Sequence, residues 1–473
     1  MYMPTVGLEI HAELKTATKM FCDSRNDSSE ARPNQNICPI CLGHPGTLPT
    51  INREAVKRIL KVGLALGGEL ANFTEFDRKN YFYPDIPKGY QLSQYASPLV
   101  AGGSLHGVAI TRVHLEEDTA TSLHEERDHS LINFNRAGVP LMELVTEPVI
   151  RSAKEAGDFA RGLQLLLRYL GVSDANMEKG EMRVEANVSV SADAAQLGTK
   201  VEVKNLNSFR AVERAILYEA ERQSALLELG ETILQETRGW DENTGKTFSQ
   251  RRKEASHDYR YFPDPDLPKL VLKEIPEFDR RVLQKEMPEL PSSVHSRYLK
   301  LGLKTEDAET LVANRALASL FEEAAKKVRE KKQILLSANY ITSDLLGLIK
   351  KDGADADLAR FRFTGEAFAE LIGMAATGRI SSRGAKDILR ALFERGGSPA
   401  ALAEELSLLQ KNDAGELERV VRQILEENQK VATEYRNGKG AALQFLIGRG
   451  MKETKGAGNP EKLRELFVTL LKE

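Results

Sequence analysis

Cysteine is scarce in this chain of 473 residues: Cys22, Cys38 and Cys41 are the only three. An odd and small number excludes a disulfide framework and fits a reducing compartment. Long apolar runs are also missing. A membrane span needs ~20 such residues, and the longest candidates are as short as Leu163–Leu167. The segment Met1 to Thr5 has no basic stretch followed by an apolar one, so no secretory signal is expected and the expected location is the cytoplasm. Neither sign of charge dominates, with 66 Lys and Arg against 69 Asp and Glu, and a net charge of −3 does not advertise nucleic acid. No Gly-x-x-x-x-Gly-Lys-Ser/Thr loop occurs, so any ATP is held by other means than a P-loop. A Gly-x-Gly-x-x-Gly fingerprint is absent too, and Gly102-Gly103-Ser104 and Gly396-Gly397-Ser398 lack the context of a serine hydrolase.

What is present is a chain long enough for about three domains. Apolar content of 41% and charged content of 29% describe a soluble globular protein. In the first 265 or so residues, Val6, Leu8 and Ile10 alternate with Gly7, Glu9 and His11, the pattern of a half-buried strand. Met182 to Val190 alternates likewise and groups Arg183, Glu185, Asn187 and Ser189; Lys200, Glu202 and Lys204 share a face of the next such segment. Ser152 and Glu155 form a capping box opening a helix with the stripe Phe159, Leu163, Leu166, Leu167 and Leu170, stopped by Gly171. The expected class is α+β, with a largely antiparallel sheet and flanking helices over residues 1–292. After the Pro-rich connection Phe262 to Pro268, and further prolines at 276, 288 and 291, strand signals vanish. Two helical modules are expected, 293–397 and 398–473, joined at Gly396-Gly397-Ser398-Pro399. From Lys430 to Glu473 nine Lys or Arg face five Glu, a local net charge of +4. That segment is either a phosphate-contacting module or a solvated helix face.

Several constellations carry chemistry. Glu9 and His11 lie two apart on a strand, so both side chains point the same way and can converge on one ion or proton. Carboxylate plus imidazole suits a divalent metal; Mg²⁺ prefers oxygen, which leaves Mn²⁺ open. Glu143 sits inside an otherwise apolar strand, and burying an unpaired carboxylate costs several kcal/mol. Its partner is either Arg136 or Arg183, or a metal shared with Glu9, His11 and Glu117, the last from the acidic run His114-Leu-Glu-Glu-Asp118. The aperiodic block Asp77 to Gln91 offers Arg78, Lys79 and Lys88 to phosphates and Tyr81, Tyr83 and Tyr90 to bases, or else is a rigid packed loop. Cys22 with Cys38-Pro-Ile-Cys41 supplies three of the four thiolates a structural zinc wants. His44, Asp23 or water stand as the fourth ligand; free thiols, or Cys22 as a nucleophile beside His11, are the other readings.

These motifs resemble a known family. Val6-Gly-Leu-Glu-Ile-His11, Cys38 to Pro49, Phe76 to Asp85, His114 to Asp118, Val203 to Phe209, Arg238 to Lys246, His257 to Pro263 and Phe445 to Lys452 together, in order and over the full length, resemble the B subunits of bacterial aspartyl/glutamyl-tRNA(Asn/Gln) amidotransferases. The resemblance implies ATP-dependent phosphorylation of the side-chain carboxylate of Glu-tRNA(Gln) or Asp-tRNA(Asn). Ammonia then displaces the phosphate. It also implies a heterotrimer with an amidase subunit that releases the ammonia and a small bridging subunit. Metal-site positions would be Glu9, His11, Glu117 and Glu143, with Lys79 and Glu185 as pocket contacts; from their charge alone, Arg78, Lys79, Lys88 and Lys204 are expected around the nucleotide. The tail would bind tRNA through residues such as Lys439, Arg449, Lys452 and Lys455. The family often has Cys-x-Cys before the second pair; here Ser24 stands at the second cysteine, so its zinc site is incomplete. A non-catalytic tRNA-binding scaffold and a metal-dependent hydrolase are the rival readings.

Overall fold

A computed structural model describes residues 2–123, 129–193, 195–252, 260–328, 330–352, 361–410, 414–454 and 458–472. It divides into two compact units, Met1–Pro291 and Ser292–Glu473. The class is α+β, as the alternation patterns predict.

The first unit is built on a ten-stranded sheet. From one edge the strand order is Lys246–Arg252, Glu236–Asp241, Val201–Leu206, Met182–Ser191, Met3–Glu13, Pro140–Thr146, Val108–Glu117, Val100–Ala101 and Glu69–Leu70, with Ser104–Leu105 paired on Val108–Glu117. Every pairing is antiparallel except that of Val201–Leu206 with Glu236–Asp241. The Met3–Glu13 strand lies at the centre. Its Val6, Leu8, Ile10 and Ala12 are fully buried and join a core with Ile59 and Leu60, Phe159 and Leu163, and Val212 and Ile216. Those partners come from three helices, Arg53–Ala65, Ala153–Leu170 and Phe209–Glu228. The second of these begins as its sequence predicts: the Ser152 hydroxyl accepts from Glu155 N–H, the Glu155 carboxylate accepts from Arg151 N–H at 2.8 Å, and Gly171 ends it at φ +66°. One face of the sheet is thereby covered by helices. The residues between the core positions of the central strand, Glu9 and His11, are left on the other.

The block Asp77 to Gln91 is not a plain loop. Asp77–Asn80 and Tyr90–Ser93 pair with each other, and Arg260–Pro263 pairs with the former, making a three-stranded sheet. Two motif blocks about 180 residues apart in sequence thus meet strand to strand.

The second unit is helical throughout its described residues apart from an isolated bridge between Ile380 and Leu409. The glycine-proline joint at 396–399 does not divide it. Pro399 occupies the first turn of the helix Pro399–Glu405, whose Leu402 and Ala403 are buried and which packs on the helices Gly365–Ala376 and Ser382–Arg395. A separate apolar cluster begins only at Leu417 and runs through Val421, Leu446, Leu463 and Phe467. Among the described residues no helix is long and apolar enough to cross a membrane.

Candidate active site

Strand register brings the chemistry together. His11 is cross-strand partner to Glu143 on one side and Arg183 on the other; Glu143 in turn faces His114, and Glu9 faces Glu185. Each of these pairs spans neighbouring strands on one face, so a stripe of imidazole and carboxylate crosses four strands. His11 Nε2 lies 3.3 Å from Glu116 Oε1, 3.5 Å from Glu143 Oε2 and 3.9 Å from Glu9 Oε1. His114 Nε2 is 3.3 Å from Glu143, and Arg112 approaches the other Glu143 oxygen at 3.5 Å. Among the described residues, three overlapping sets have donor atoms all within 4.8 Å of one another: Glu9, His11 and Glu143; His114, Glu116 and Glu143; and Glu9, Glu185 and Glu202.

The electrostatics of this crowd are unbalanced. Burial and the neighbouring Glu143 charge push the Glu9 carboxyl up to about 7. Burial also disfavours charge on Glu143, but His114 and His11 outweigh it and hold that carboxyl well below the ordinary range. Burial likewise opposes a charged His11, and its hydrogen bonds to Glu116 and Glu143 overcome that and raise it. Lys79, projecting from the three-stranded sheet, is kept protonated against its burial by Glu116, Tyr261 and Glu143. The Nδ1 of His114 and the Nε of Arg112 are buried with no hydrogen-bond partner. A divalent cation fits this donor set. It would draw Glu9 to the ionised form and relieve the repulsion among three glutamates, using oxygen ligands and one imidazole.

Of the four residues expected to share a metal, Glu9, His11 and Glu143 meet and Glu117 does not. Period-two geometry explains the correction. On Val108–Glu117, Val113 and Leu115 face the core, and Glu117 has their parity; His114 and Glu116 have the opposite one. Glu117 binds Lys88 Nζ at 2.5 Å and accepts from Leu92 N–H at 2.9 Å on the far side. Glu116 takes its place beside His11. The alternation was there to be read, and Glu116 and His114 are what a parity count adds.

Other expected contacts sort as follows. Lys79 faces the carboxylates, but Arg78, on the opposite face of its strand, is tied to Asp264 at 2.6 Å and Asp266 at 2.9 Å and lies over the Tyr90 ring. It serves the joint between motif blocks rather than the stripe. Lys88 is committed to Glu117. Lys204 reaches Glu185 at 2.8 Å and extends the stripe toward Glu202. Neither Arg136 nor Arg183 pairs with Glu143; both serve Asp118, at 3.6 and 2.5 Å. In the second unit Lys439 and Arg449 stand 3.6 and 3.9 Å from Glu434 and Glu427, and Lys452 is exposed. Lys455 and residues 257–259 of the His257 block lie outside the described residues.

The three cysteines do converge, their sulfurs within 4.8 Å of one another. Cys41 Sγ accepts the Cys38 N–H at 3.1 Å, with Lys19 Nζ and Ser24 Oγ each 3.9 Å away. His44 and Asp23 lie outside the cluster. Among the described residues no fourth His, Cys, Asp or Glu joins the three thiols, so the closed four-ligand zinc site is not formed. Instead the wholly buried Lys19 ammonium stands against the sulfurs, a residue that nothing in the sequence singles out.

Known protein families match the chain over most of its length. The GatB/GatE catalytic domain family matches residues 4–275 and the GatB domain family residues 319–471. The B subunit of the aspartyl/glutamyl-tRNA(Asn/Gln) amidotransferase of Synechocystis sp. is 42% identical over 99% of this chain and 98% of its own length. Its counterpart in Thermodesulfovibrio yellowstonii is 42% identical over the whole of both chains, and that in Thermomicrobium roseum 44% over 99% and 98%. The chain therefore belongs to the family of aspartyl/glutamyl-tRNA(Asn/Gln) amidotransferase B subunits, components of a glutamine-dependent carbon–nitrogen ligase.

Proposed function

We propose that the carboxylate–imidazole stripe is where ATP activates the side-chain carboxylate of Glu-tRNA(Gln), Asp-tRNA(Asn) or both, in the cytosol. The single observation that carries this reading is the convergence of Glu9, His11, Glu116 and Glu143 on one sheet face beside the Lys79 ammonium. A carboxylate resists amidation because its leaving group would be oxide, and phosphorylation supplies a better one. That transfer needs positioning and neutralisation of phosphate charge rather than a protein nucleophile. A bound Mg²⁺ or Mn²⁺ would supply positive charge that offsets the phosphate oxygens. His11, Glu116 and Glu143 would hold it, with Glu9 completing the set; Arg112 and His114 fix Glu143. Lys79 places a fixed positive charge beside that set, suited to the oxygens of the transferring phosphate. Ammonia then attacks the activated carbonyl and phosphate leaves. The ammonia comes from glutamine through a partner amidase, a third and smaller chain links the two, and the helical tail binds the tRNA.

The test is reconstitution of the three-subunit complex with each misacylated tRNA, ATP and glutamine. Amidated tRNA is expected only with ATP and divalent metal, and Glu143→Ala is expected to abolish it while tRNA affinity stays within about twofold. Unchanged activity in Glu143→Ala contradicts the assignment; glutaminase activity from the isolated chain contradicts the division of labour.

A further inference from the structure

Beside this stripe the three-stranded sheet presents an aromatic feature that the proposed chemistry leaves unused. Tyr261 is the cross-strand partner of Lys79, which is in turn paired with Gln91. The phenol of Tyr261 is among the groups that keep Lys79 charged, so ring and ammonium share one face of the sheet. On Tyr261 lies Tyr95, the two rings 4.3 Å apart and within 19° of parallel.

The pair is held from two separate parts of the chain. Asp77, almost wholly buried, accepts the backbone N–H groups of Tyr95 at 3.0 Å and Ala96 at 3.1 Å. Next to Tyr95, the buried Gln94 amide bonds Thr74 and the Leu115 N–H. Tyr261 is fixed by its strand and by Asp264 N–H donating to Phe76 O at 2.8 Å. Yet the ring so firmly anchored is not packed into the core: Tyr95 is 58% exposed. A stack with one π-face anchored on a second ring and another open to water is the arrangement on which a planar heterocycle settles. Tyr261 lies directly across from Lys79, so the stack stands next to the ammonium, as the base of a nucleotide stands next to its phosphate or acyl end.

We propose that the Tyr95–Tyr261 pair is a stacking platform for an adenine ring whose phosphate or ester end lies at Lys79 and the carboxylates. This rests on the ATP-dependent reading of the stripe. Adenine reaches such a site from two sources: ATP itself, or the terminal adenosine of the tRNA acceptor end. Flat rings with only phenolic hydroxyls at their edges give affinity more than base discrimination, so charge at Lys79 and the stripe, rather than the platform, sets the ligand's orientation.

The test uses the reconstituted three-subunit complex with Tyr95→Leu, Tyr95→Phe and Tyr95→Trp, measuring kcat and KM for ATP and for misacylated tRNA separately. Stacking predicts that Tyr95→Leu raises one of the two KM values by about 5- to 150-fold with kcat changed far less. Tyr95→Phe and Tyr95→Trp should keep that KM within about threefold. A rise confined to ATP assigns ATP's base; a rise confined to tRNA, matched by insensitivity to the substitution when the tRNA ends in cytidine, assigns the terminal adenosine. Both KM values unmoved in Tyr95→Leu overturn the platform, as does an equal loss in all three variants. Should the wild-type complex show no ATP-dependent amidation, the functional reading fails on its own. In that event photolabelling with an 8-azidoadenine nucleotide decides the platform: label at Tyr95 or Tyr261, competed by ATP, supports it, and label elsewhere overturns it.

Discussion

Exchanging Glu116 and Glu117 for glutamine, one at a time, separates two neighbours that sequence alone treats alike. In the structure Glu116 is 3.3 Å from His11 within the donor set, whereas Glu117 is bound to Lys88 at 2.5 Å on the other face. A carboxylate about 2.1 Å from a divalent ion contributes about 4 kcal/mol even at the dielectric constant of water. Part of this is offset by its own desolvation, and glutamine retains one neutral oxygen. Glu116→Gln should therefore weaken Mn²⁺ binding by about 100- to 1000-fold. Glu117→Gln instead strands a mostly buried ammonium, which costs about 3–5 kcal/mol, and lowers the unfolding midpoint by several degrees, while Mn²⁺ affinity stays within about threefold. Calorimetric titration with Mn²⁺ and thermal unfolding of both variants are sufficient. If Glu117→Gln loses the metal and Glu116→Gln keeps it, the parity argument and the site built on it are wrong.

Further outcomes follow from single features. Burial and the adjacent Asp118 charge raise the Glu13 carboxyl to about 7 from 4.5. Its favourable contribution is thus complete below pH 4.5 and lost as pH rises through 7; Glu13→Gln should exceed wild type by about 1–3 kcal/mol at about pH 8 and match it at about pH 4, by denaturant titration. Cys41 is held at about 5, first by the Cys22 thiol and, against burial, by Lys19. Lys19→Met should shift the thiolate absorbance titration upward by about a unit; no shift separates the ammonium from the thiols. Gly171→Ala places a side chain at φ +66° with open space around it, so strain alone should cost about 1 kcal/mol in thermal unfolding. Replacing Arg449 or Lys452 by Ala should weaken tRNA binding without regard to sequence and reduce the salt slope by about one each; an unchanged slope removes the tail from the interface.

How much of this was legible depends on how local each signal is. Val6, Leu8 and Ile10 announced the central strand because burying one sheet face forces alternation, and Ser152 and Gly171 announced helix ends because caps are satisfied within a few residues. Glu9, His11 and Glu143 were recoverable for the same reason: two share a strand and the third is a charge in an apolar run. Glu117 shares a motif with Glu116 but not its parity, and parity decides which of the two stands beside His11. Asp77–Asn80, Tyr90–Ser93 and Arg260–Pro263 are not legible as strands because short charged and aromatic segments carry no periodicity, and Arg260–Pro263 pairs with a strand about 180 residues away. Lys19 gives no signal at all. Its burial is decided by Cys41 and Phe134, brought to it by the tertiary fold.

Anomalous diffraction from crystals grown with Mn²⁺ addresses the central claim most directly. A peak is expected within coordination distance of His11 Nε2 and the carboxylates of Glu116 and Glu143. A well-occupied peak at Glu117 and Lys88, or none on that face of the sheet at saturating Mn²⁺, would contradict it.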